Sequence, residues 1–293
     1  MTKTNFIGIG VQKAATTWLH HVLSEHPSVR TSETKELNFF NARYDLGFQW
    51  YESRFDPAEP GVIRGECSPN YFYSRDAAQR AWDYNPDFKL ICILRDPVER
   101  AFSNHLHEIR KGHIPPDTSF EDALPLNPAY TLQSHYKANL QNWLDHFNKG
   151  ALLVLLSEDV AKDPQGTYRR ICAHLGVAPE ENPSAITERH HETIVYKNQA
   201  VQNALRKGGS VLRSLGLADL VKGLKKAPGL KQALAMNKQH LKTKVSPPTP
   251  ETRVMLAEQF RDDMEFVAQF LGRDNLPWPT WQLLPPIKTG THG

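Results

Sequence analysis

Residues 6–17 combine a short apolar run with a lysine and two threonines at a spacing that suits anion binding. If a strand ends and a helix begins here, the first helical N–H groups have no intrahelical partners, and the helix dipole places partial positive charge beside them. The loop consists of Lys13, Ala14, Ala15, Thr16 and Thr17. This pattern predicts a site for a phosphate-like anion, and a plain strand-to-helix turn with a solvated lysine is the alternative. A nucleoside-triphosphate loop would carry Gly-Lys-Ser/Thr, which is missing.

A second candidate anion site follows the apolar run 89–94. Arg95 comes directly after this run, at the carboxyl end of a predicted strand, where open α/β sheets bind ligands. Ser103 lies seven residues beyond Asp96 and therefore near the same side of the following helix. Because arginine suits bidentate phosphate binding, Arg95 and Ser103 could hold a second phosphate. The alternative is an Arg95–Asp96 surface pair and a solvent-facing serine.

The elements that must position these residues alternate along the chain. Residues 6–11, 89–94 and 151–156 are continuous apolar runs, as expected of parallel strands covered on both faces, and 62–67 is a further candidate strand. Together with the helical patterns between them, they predict an α/β fold in which helices flank a central parallel sheet.

The helical patterns have recognisable ends. The first ends at His26-Pro27, and the second has Asp96 as N-cap, Pro97 as first residue and Gly112 as stop. A Glu158–Asp159 turn is predicted before a helix over 165–176. The last helix is predicted to start at Thr249-Pro250-Glu251 and to continue to Gly272.

Composition indicates an ordinary globular chain. It has 293 residues, 40% of them hydrophobic and 23% charged, with a formal net charge of +3. Three widely spaced cysteines offer neither a disulfide framework nor a metal cluster, which fits a reducing compartment. Without a recognisable leader or an apolar stretch of membrane-spanning length, we expect a cytoplasmic protein. We expect one domain over residues 1–293, with a basic helical insertion at about 200–245.

That insertion is the most basic part of the chain. Residues 205–245 contain ten Lys and Arg residues against one acidic residue, Asp219. It could be an amphipathic lid that attracts an anionic acceptor, a peripheral contact with an acidic membrane surface, or a solvated insertion whose leucines pack on the core. Nucleic acid is not an expected partner, because no base-reading or stacking elements accompany the charge.

Taken together, the two anion sites resemble the sulfotransferases that use 3′-phosphoadenosine 5′-phosphosulfate (PAPS). The resemblance extends through "TKELNFF" (34–40), "GECSPNYF" (65–72), "YKANLQNWLDHF…LLVLLSEDVAKDP" (136–164) and "FLGRDNLPW" (270–278). The Lys-Glu-x-x-Phe-Phe element is most similar to the heparan-sulfate-type and bacterial carbohydrate branch. The resemblance implies a P-loop-like three-layer fold, PAPS as donor and 3′,5′-adenosine bisphosphate (PAP) as product. No metal is required.

The resemblance also assigns the donor-binding residues. The loop after the first strand would hold the 5′-phosphosulfate, with Lys13 neutralising the leaving phosphate oxygen, and Arg95 and Ser103 would hold the 3′-phosphate. Trp18 is interpreted as helix–sheet packing, although base stacking stays open. A late loop would close over the nucleotide, with Arg189 and Lys197 as candidates.

For the acceptor, the resemblance makes Glu36 the general base. Its neighbour Lys35, together with Glu66, Ser134 and Tyr136, completes the predicted acceptor-binding set. The acceptor would be a hydroxyl-bearing glycan or small molecule, which could be anionic.

One residue departs from the family pattern. Cys67 stands where family members often have a lysine, which puts that lysine's contribution in doubt. Its most direct interpretation is a small buried residue. His105 and His107 are alternative bases, and the histidine pairs lack the acidic or cysteine residues of a metal site.

The sequence leaves two other functions open. A P-loop nucleotide kinase would need the missing Gly-Lys-Ser/Thr and a magnesium-holding aspartate after a second strand. A catalytically inactive protein that binds a nucleotide or an anionic glycan is the other possibility, since a fold alone never proves an activity.

Overall fold

The computed structural model describes residues 3–57, 59–180, 183–186, 194–196, 238–240 and 245–284. The chain divides into two compact units. The first contains Met1–His105, Glu121–His190 and Pro248–Gly293, and the second contains Leu106–Phe120 and His191–Pro247. None of the helices within these ranges combines the length and apolar character needed to span a membrane.

The first unit is built on a five-stranded parallel sheet in the order β2-β3-β1-β4-β5. Its strands are β1 (Phe6–Gly10), β2 (Val29–Thr31), β3 (Ile63–Cys67), β4 (Lys89–Leu94) and β5 (Leu152–Leu156). Phe6 lies opposite Gly65 on one side and Lys89 on the other, so β1 is the central strand. The predicted α/β architecture with a central parallel sheet is confirmed, and it is that of a P-loop-like fold.

Helices connect and cover these strands. In chain order they are α1 (Thr16–Ser24), α2 (Phe39–Ala42), α3 (Gly47–Glu52), α4 (Arg75–Tyr84), α5 (Pro97–Lys111), α6 (Phe120–Ala123), α7 (Ala129–Leu132), α8 (Tyr136–Leu144), α9 (Ser157–Lys162), α10 (Pro164–Leu175), α11 (Pro250–Gln259) and α12 (Arg261–Leu271). Short 3-10 turns occur at Tyr44–Leu46, Pro69–Tyr71, Lys149–Ala151, Ser184–Ile186 and Trp281–Leu283. The carboxyl ends of β1, β3 and β4 meet at one edge, where the sequence predicted the ligand site.

The predicted caps of α5 and α11 are confirmed. Asp96 Oδ1 accepts hydrogen bonds from the N–H groups of Val98 and Glu99, both at 3.0 Å. The helix α5 ends before Gly112. Thr249 Oγ1 accepts from the Thr252 N–H at 3.2 Å and starts α11.

Gly112 and Gly176, which follow α5 and α10, have φ of 76° and 78°. Both lie in the left-handed region, where glycine ends a helix without the steric cost of a Cβ atom. Gly272 ends α12 in the same way, with φ 63°.

Two predicted boundaries are wrong. The Glu158–Asp159 turn is part of the short helix α9. The helix predicted to run to Gly272 is interrupted at Phe260, which separates α11 from α12. Phe260 is fully buried, and Asp263 accepts a hydrogen bond from the Lys137 N–H at 2.9 Å, at the start of α8. The interruption at Phe260 therefore coincides with a core contact, and the first turn of α12 caps the start of a neighbouring helix.

The second unit includes the end of α5 and an antiparallel pair, β6 (Ile194–Tyr196) and β7 (Lys238–His240). Most of the predicted basic insertion at about 200–245 lies outside the described residues. Within it, the backbone of residues 238–240 forms β7.

Candidate functional site

The loop between β1 and α1 has the backbone that its sequence predicted for an anion site. Lys13 and Ala15 adopt left-handed conformations, with φ of 73° and 61°. Ala15 is the N-cap of α1 and has no side-chain oxygen with which to cap the first-turn amides. The positive end of the helix dipole is therefore left to a ligand. Ala14 is fully buried, Thr16 is buried and Thr17 is half-buried.

Arg95 joins this loop to the end of β4. Its Nη1 donates a hydrogen bond to the carbonyl oxygen of Lys13 at 3.1 Å. The carbonyl oxygen of Arg95 in turn accepts from the Tyr136 hydroxyl at 2.6 Å. The structure thus brings together two of the predicted donor-binding residues, 82 positions apart in the chain. Ser103 lies half-buried in the second turn of α5.

The C-terminal segment fixes the start of α5. Asp96 accepts hydrogen bonds from the hydroxyl of Thr280 at 2.7 Å and from its N–H at 2.8 Å. Glu158 accepts from the Asp96 N–H at 3.2 Å and from Trp278 Nε1 at 3.0 Å. Burial raises the pKa of Glu158. These contacts hold the residue next to Arg95 in place.

Glu36 and Lys35 form an ion pair beyond β2. Lys35 Nζ lies 2.6 Å from Glu36 Oε1, and the Glu36 side chain is 41% exposed. Glu36 and Asn38 are left-handed, with φ of 64° and 50°. Among the described residues, the only non-glycine positions with positive φ are these two and the pair in the β1–α1 loop. Strained backbone of this kind persists where the surroundings enforce it, and it is concentrated at functional sites.

Glu66 is fully buried in β3. It lies beside the loop between β2 and α2, residues 32–38, which we call the Glu36 loop. Its carboxylate accepts hydrogen bonds from Tyr71 at 2.6 Å and Ser68 at 2.7 Å. Burial raises the pKa of Glu66 to about 7. The Ser68 N–H donates to the carbonyl oxygen of Gly8 at 2.9 Å, which ties this cluster to β1.

Three other predicted site residues are buried and bonded to protein groups. Trp18 is 5% exposed, and its Nε1 donates to the carbonyl oxygen of Ile186 at 3.3 Å, which favours its packing interpretation. Ser134 and Tyr136 are fully buried, and Ser134 Oγ donates to the carbonyl oxygen of Pro97 at 3.1 Å. These contacts favour structural roles, and direct ligand binding by these residues stays a prediction. Arg189 and Lys197 lie outside the described residues.

Arg100 is a buried cation beside these residues to which the sequence assigned no role. It is fully buried in α5, and its Nε donates to Ser134 Oγ at 2.7 Å. Its Nη2 donates to the carbonyl oxygen of Tyr130. Burial lowers the pKa of Arg100 to about 10. The available signal was its position four residues after Asp96 and three before Ser103, which places all three near one side of α5.

His20 is partly buried and His105 is fully buried. Burial, followed by the positive charge of Lys35, lowers the pKa of His20 to about 4, so its imidazole is neutral near pH 7. His105 is fully buried and its Nδ1 lies 3.2 Å from the Tyr130 hydroxyl, which disfavours the alternative that it is the general base. In the part of the chain that the structure describes, no three His, Cys, Asp or Glu residues are grouped so as to hold a metal ion.

Cys67 packs against the central strand. It is fully buried, and a Cβ atom on Gly8 would lie 2.7 Å from its Sγ. Burial raises the pKa of the Cys67 thiol to about 12, so it is neutral near pH 7. A small side chain at this position therefore fills space beside a glycine, in agreement with the sequence interpretation.

Comparison with known proteins decides the family. A family model described as "Sulfotransferase domain" matches residues 3–214. The chain belongs to the family of PAPS-dependent sulfotransferases. The sulfotransferase from Alicyclobacillus acidocaldarius has a similar crystal structure, with a TM-score of 0.59 and 25% identity, covering 76% of this chain and 97% of that one.

Two curated relatives of this chain are from Mus musculus. Heparan sulfate glucosamine 3-O-sulfotransferase 3B1 is 34% identical over 191 residues, which cover 62% of this chain and 47% of the relative. Bifunctional heparan sulfate N-deacetylase/N-sulfotransferase 4 is 28% identical over 303 residues, which cover 94% of this chain and 31% of the relative. The matched region thus spans about half of these relatives or less.

Proposed function

We propose that this protein transfers a sulfuryl group from PAPS to a hydroxyl group of a carbohydrate or small-molecule acceptor. The observation that carries the proposal is the hydrogen bond from Arg95 to the Lys13 carbonyl oxygen, which sets two candidate phosphate anchors side by side. The uncapped start of α1 and the left-handed loop before it fit the phosphosulfate end of this donor.

In this proposal, four residues of the protein each have a separate role in the transfer. PAPS supplies the sulfuryl group and leaves as PAP. Glu36 accepts the proton of the attacking hydroxyl group, while the new bond to sulfur forms and the bond to the 5′-phosphate oxygen breaks. Lys13 neutralises the charge that develops on that phosphate oxygen. Arg95 and Ser103 hold the 3′-phosphate and thereby fix the donor for in-line attack.

The names of the relatives suggest the class of acceptor. Both Mus musculus relatives are named for heparan sulfate, so an anionic glycan is the first acceptor to test. The ten Lys and Arg residues of 205–245 would attract such a chain. Screening glycans and small alcohols with sulfur-labelled PAPS identifies the acceptor, and label transfer to none of them would count against the proposed transfer.

Ligand-induced stabilisation separates the sulfotransferase from a nucleotide kinase. Because a ligand that binds only the folded state raises its stability, PAP should raise the melting temperature far more than AMP or ATP with magnesium. Equal or greater stabilisation by ATP with magnesium would favour the kinase. Stabilisation by PAP without label transfer to any acceptor would favour a binding protein without catalysis.

A further inference from the structure

The buried carboxyl group of Glu66 has no direct part in the chemistry proposed above. It is fully buried in β3, and no described Lys or Arg forms an ion pair with it. A buried carboxylate without a cationic partner must have its oxygen atoms satisfied by hydrogen-bond donors, because its desolvation is costly.

Those donors come from two hydroxyl groups and one backbone amide. Tyr71 donates to Glu66 Oε1 at 2.6 Å, and Ser68 donates to Oε2 at 2.7 Å. The N–H group of Leu37 also forms a hydrogen bond with this carboxylate. A carboxylate has about four lone-pair sites, so it can accept all three.

Both hydroxyl groups also accept hydrogen bonds from backbone amides at the end of the Glu36 loop. The Asn38 N–H donates to Ser68 Oγ at 2.9 Å, and the Phe39 N–H donates to the Tyr71 hydroxyl at 2.7 Å. Three consecutive amides, at residues 37–39, are therefore held directly or indirectly by one carboxylate. This network includes the left-handed residue Asn38 and begins directly after the left-handed residue Glu36.

The direction of these hydrogen bonds requires an acceptor at Glu66. Each hydroxyl group has a single proton, and each already accepts from a backbone amide, so its own proton points to the carboxylate. An amide at this position would place an NH₂ donor against one of these hydroxyl donors. The network therefore distinguishes a carboxylate from an amide of the same shape.

We propose that Glu66 is a positioning residue, which acts through Ser68 and Tyr71 to hold the left-handed backbone that presents Glu36 to the acceptor. This inference rests on the proposed function for the role of Glu36. It replaces the direct acceptor contact that the sequence suggested for Glu66.

Ionisation of Glu66 should then be visible in the pH dependence of turnover. The titratable groups that face it are Tyr51, Tyr71, Cys67 and Glu36, and the first three are neutral near pH 7. Burial dominates and raises the pKa of Glu66 to about 7. Because the ionised form accepts all three donors, turnover should rise with pH through this region.

Hydrogen exchange tests the positioning role without an acceptor. In Tyr71→Phe and Ser68→Ala, the amides of residues 36–40 should exchange about tenfold faster, because one hydrogen bond to the loop is lost. Tyr51→Phe is the matched control, because the Tyr51 ring stacks on Phe39 but its buried hydroxyl group makes no hydrogen bond to the loop. Unchanged exchange in the loop of Tyr71→Phe and Ser68→Ala would overturn the proposal.

Steady-state kinetics test whether Glu66 affects turnover. PAPS is the donor, and depolymerised heparan sulfate is the probe acceptor. Glu66→Gln should lower kcat about tenfold or more, leave KM for PAPS unchanged and remove the rise of kcat near pH 7. An unchanged kcat and pH profile would overturn the positioning role. If the unmodified protein transfers no label, the proposed function fails for this acceptor, and the exchange measurement still decides whether Glu66 holds the loop.

Discussion

Arg95 and Lys13 follow adjacent strands of the sheet, and Arg95 Nη1 donates a hydrogen bond to the Lys13 carbonyl oxygen at 3.1 Å. Because β1 and β4 are parallel neighbours, the loops at their carboxyl ends lie at the same edge. Arg95, which is proposed to hold the 3′-phosphate, thus also fixes the backbone of Lys13. Lys13 in turn is proposed to neutralise the charge on the 5′-phosphate oxygen.

Arg95→Lys should weaken binding of PAP about tenfold or more. The substitution keeps the charge but removes the planar fork with which arginine binds a phosphate. Isothermal titration calorimetry with PAP measures the effect. Arg169→Lys, at an exposed position of α10, is the matched control and should bind PAP like the unmodified protein. Equal affinity of Arg95→Lys and this control would rule out Arg95 as a phosphate anchor.

Glu36→Gln should abolish turnover while leaving PAP binding nearly intact. An amide cannot accept the proton of the attacking hydroxyl group, and general bases contribute about 100-fold or more to such reactions. Initial rates with labelled PAPS and calorimetry with PAP measure the two effects. Glu33→Gln, three residues away and exposed, should retain activity. Near-normal turnover by Glu36→Gln would eliminate its assignment as the base.

The sequence predicted those parts of the fold whose signals are local. Residues 89–94 form β4 over the predicted range, because an apolar run buried on both faces has a distinctive pattern. The Asp96 cap was equally visible. In contrast, β2 has only three residues at the edge of the sheet, with half-buried Arg30 and Thr31, and no apolar run marks it.

The candidate site was predictable as residue types but not as a network. The role proposed for Glu66 depends on Ser68, whose Oγ accepts from the N–H of Asn38, 30 positions away. No local pattern relates these two residues. Sequence reasoning therefore placed Glu66 near the acceptor. It could not show that the Glu66 carboxylate is joined to the Glu36 loop through the hydroxyl groups of Ser68 and Tyr71.

Ala15→Gly should leave the protein as stable as before or stabilise it by about 1 kcal/mol. A left-handed conformation costs an L-residue about 1–2 kcal/mol, which exceeds the added chain entropy of glycine in the unfolded state. Ala15 has φ 61°. Ala173→Gly, at an exposed position within α10, is the matched control and should lose about 1 kcal/mol. Equal losses in urea-unfolding free energy would contradict the left-handed conformation of Ala15.

Glu66 and His20 should change stability with pH in opposite directions. Burial raises the pKa of Glu66 from 4.5 to about 7, so between these values the folded state binds more protons and stability falls as pH rises. Burial lowers the pKa of His20 from 6.5 to about 4, so in that window the unfolded state binds more protons and stability rises with pH. Between pH 4.5 and 6.5 the two contributions oppose each other.

Single variants should separate these contributions in urea-unfolding experiments at pH 4.5, 5.5 and 6.5. Relative to the unmodified protein, His20→Gln should lose stability as pH rises, and Glu66→Gln should gain it. Each slope is at most about 1.4 kcal/mol per pH unit, and that of His20 is smaller because its ring is only partly buried. Slopes of the same sign for these two variants would contradict the burial of one of these groups, because desolvation disfavours the charged form of an acid and of a base alike.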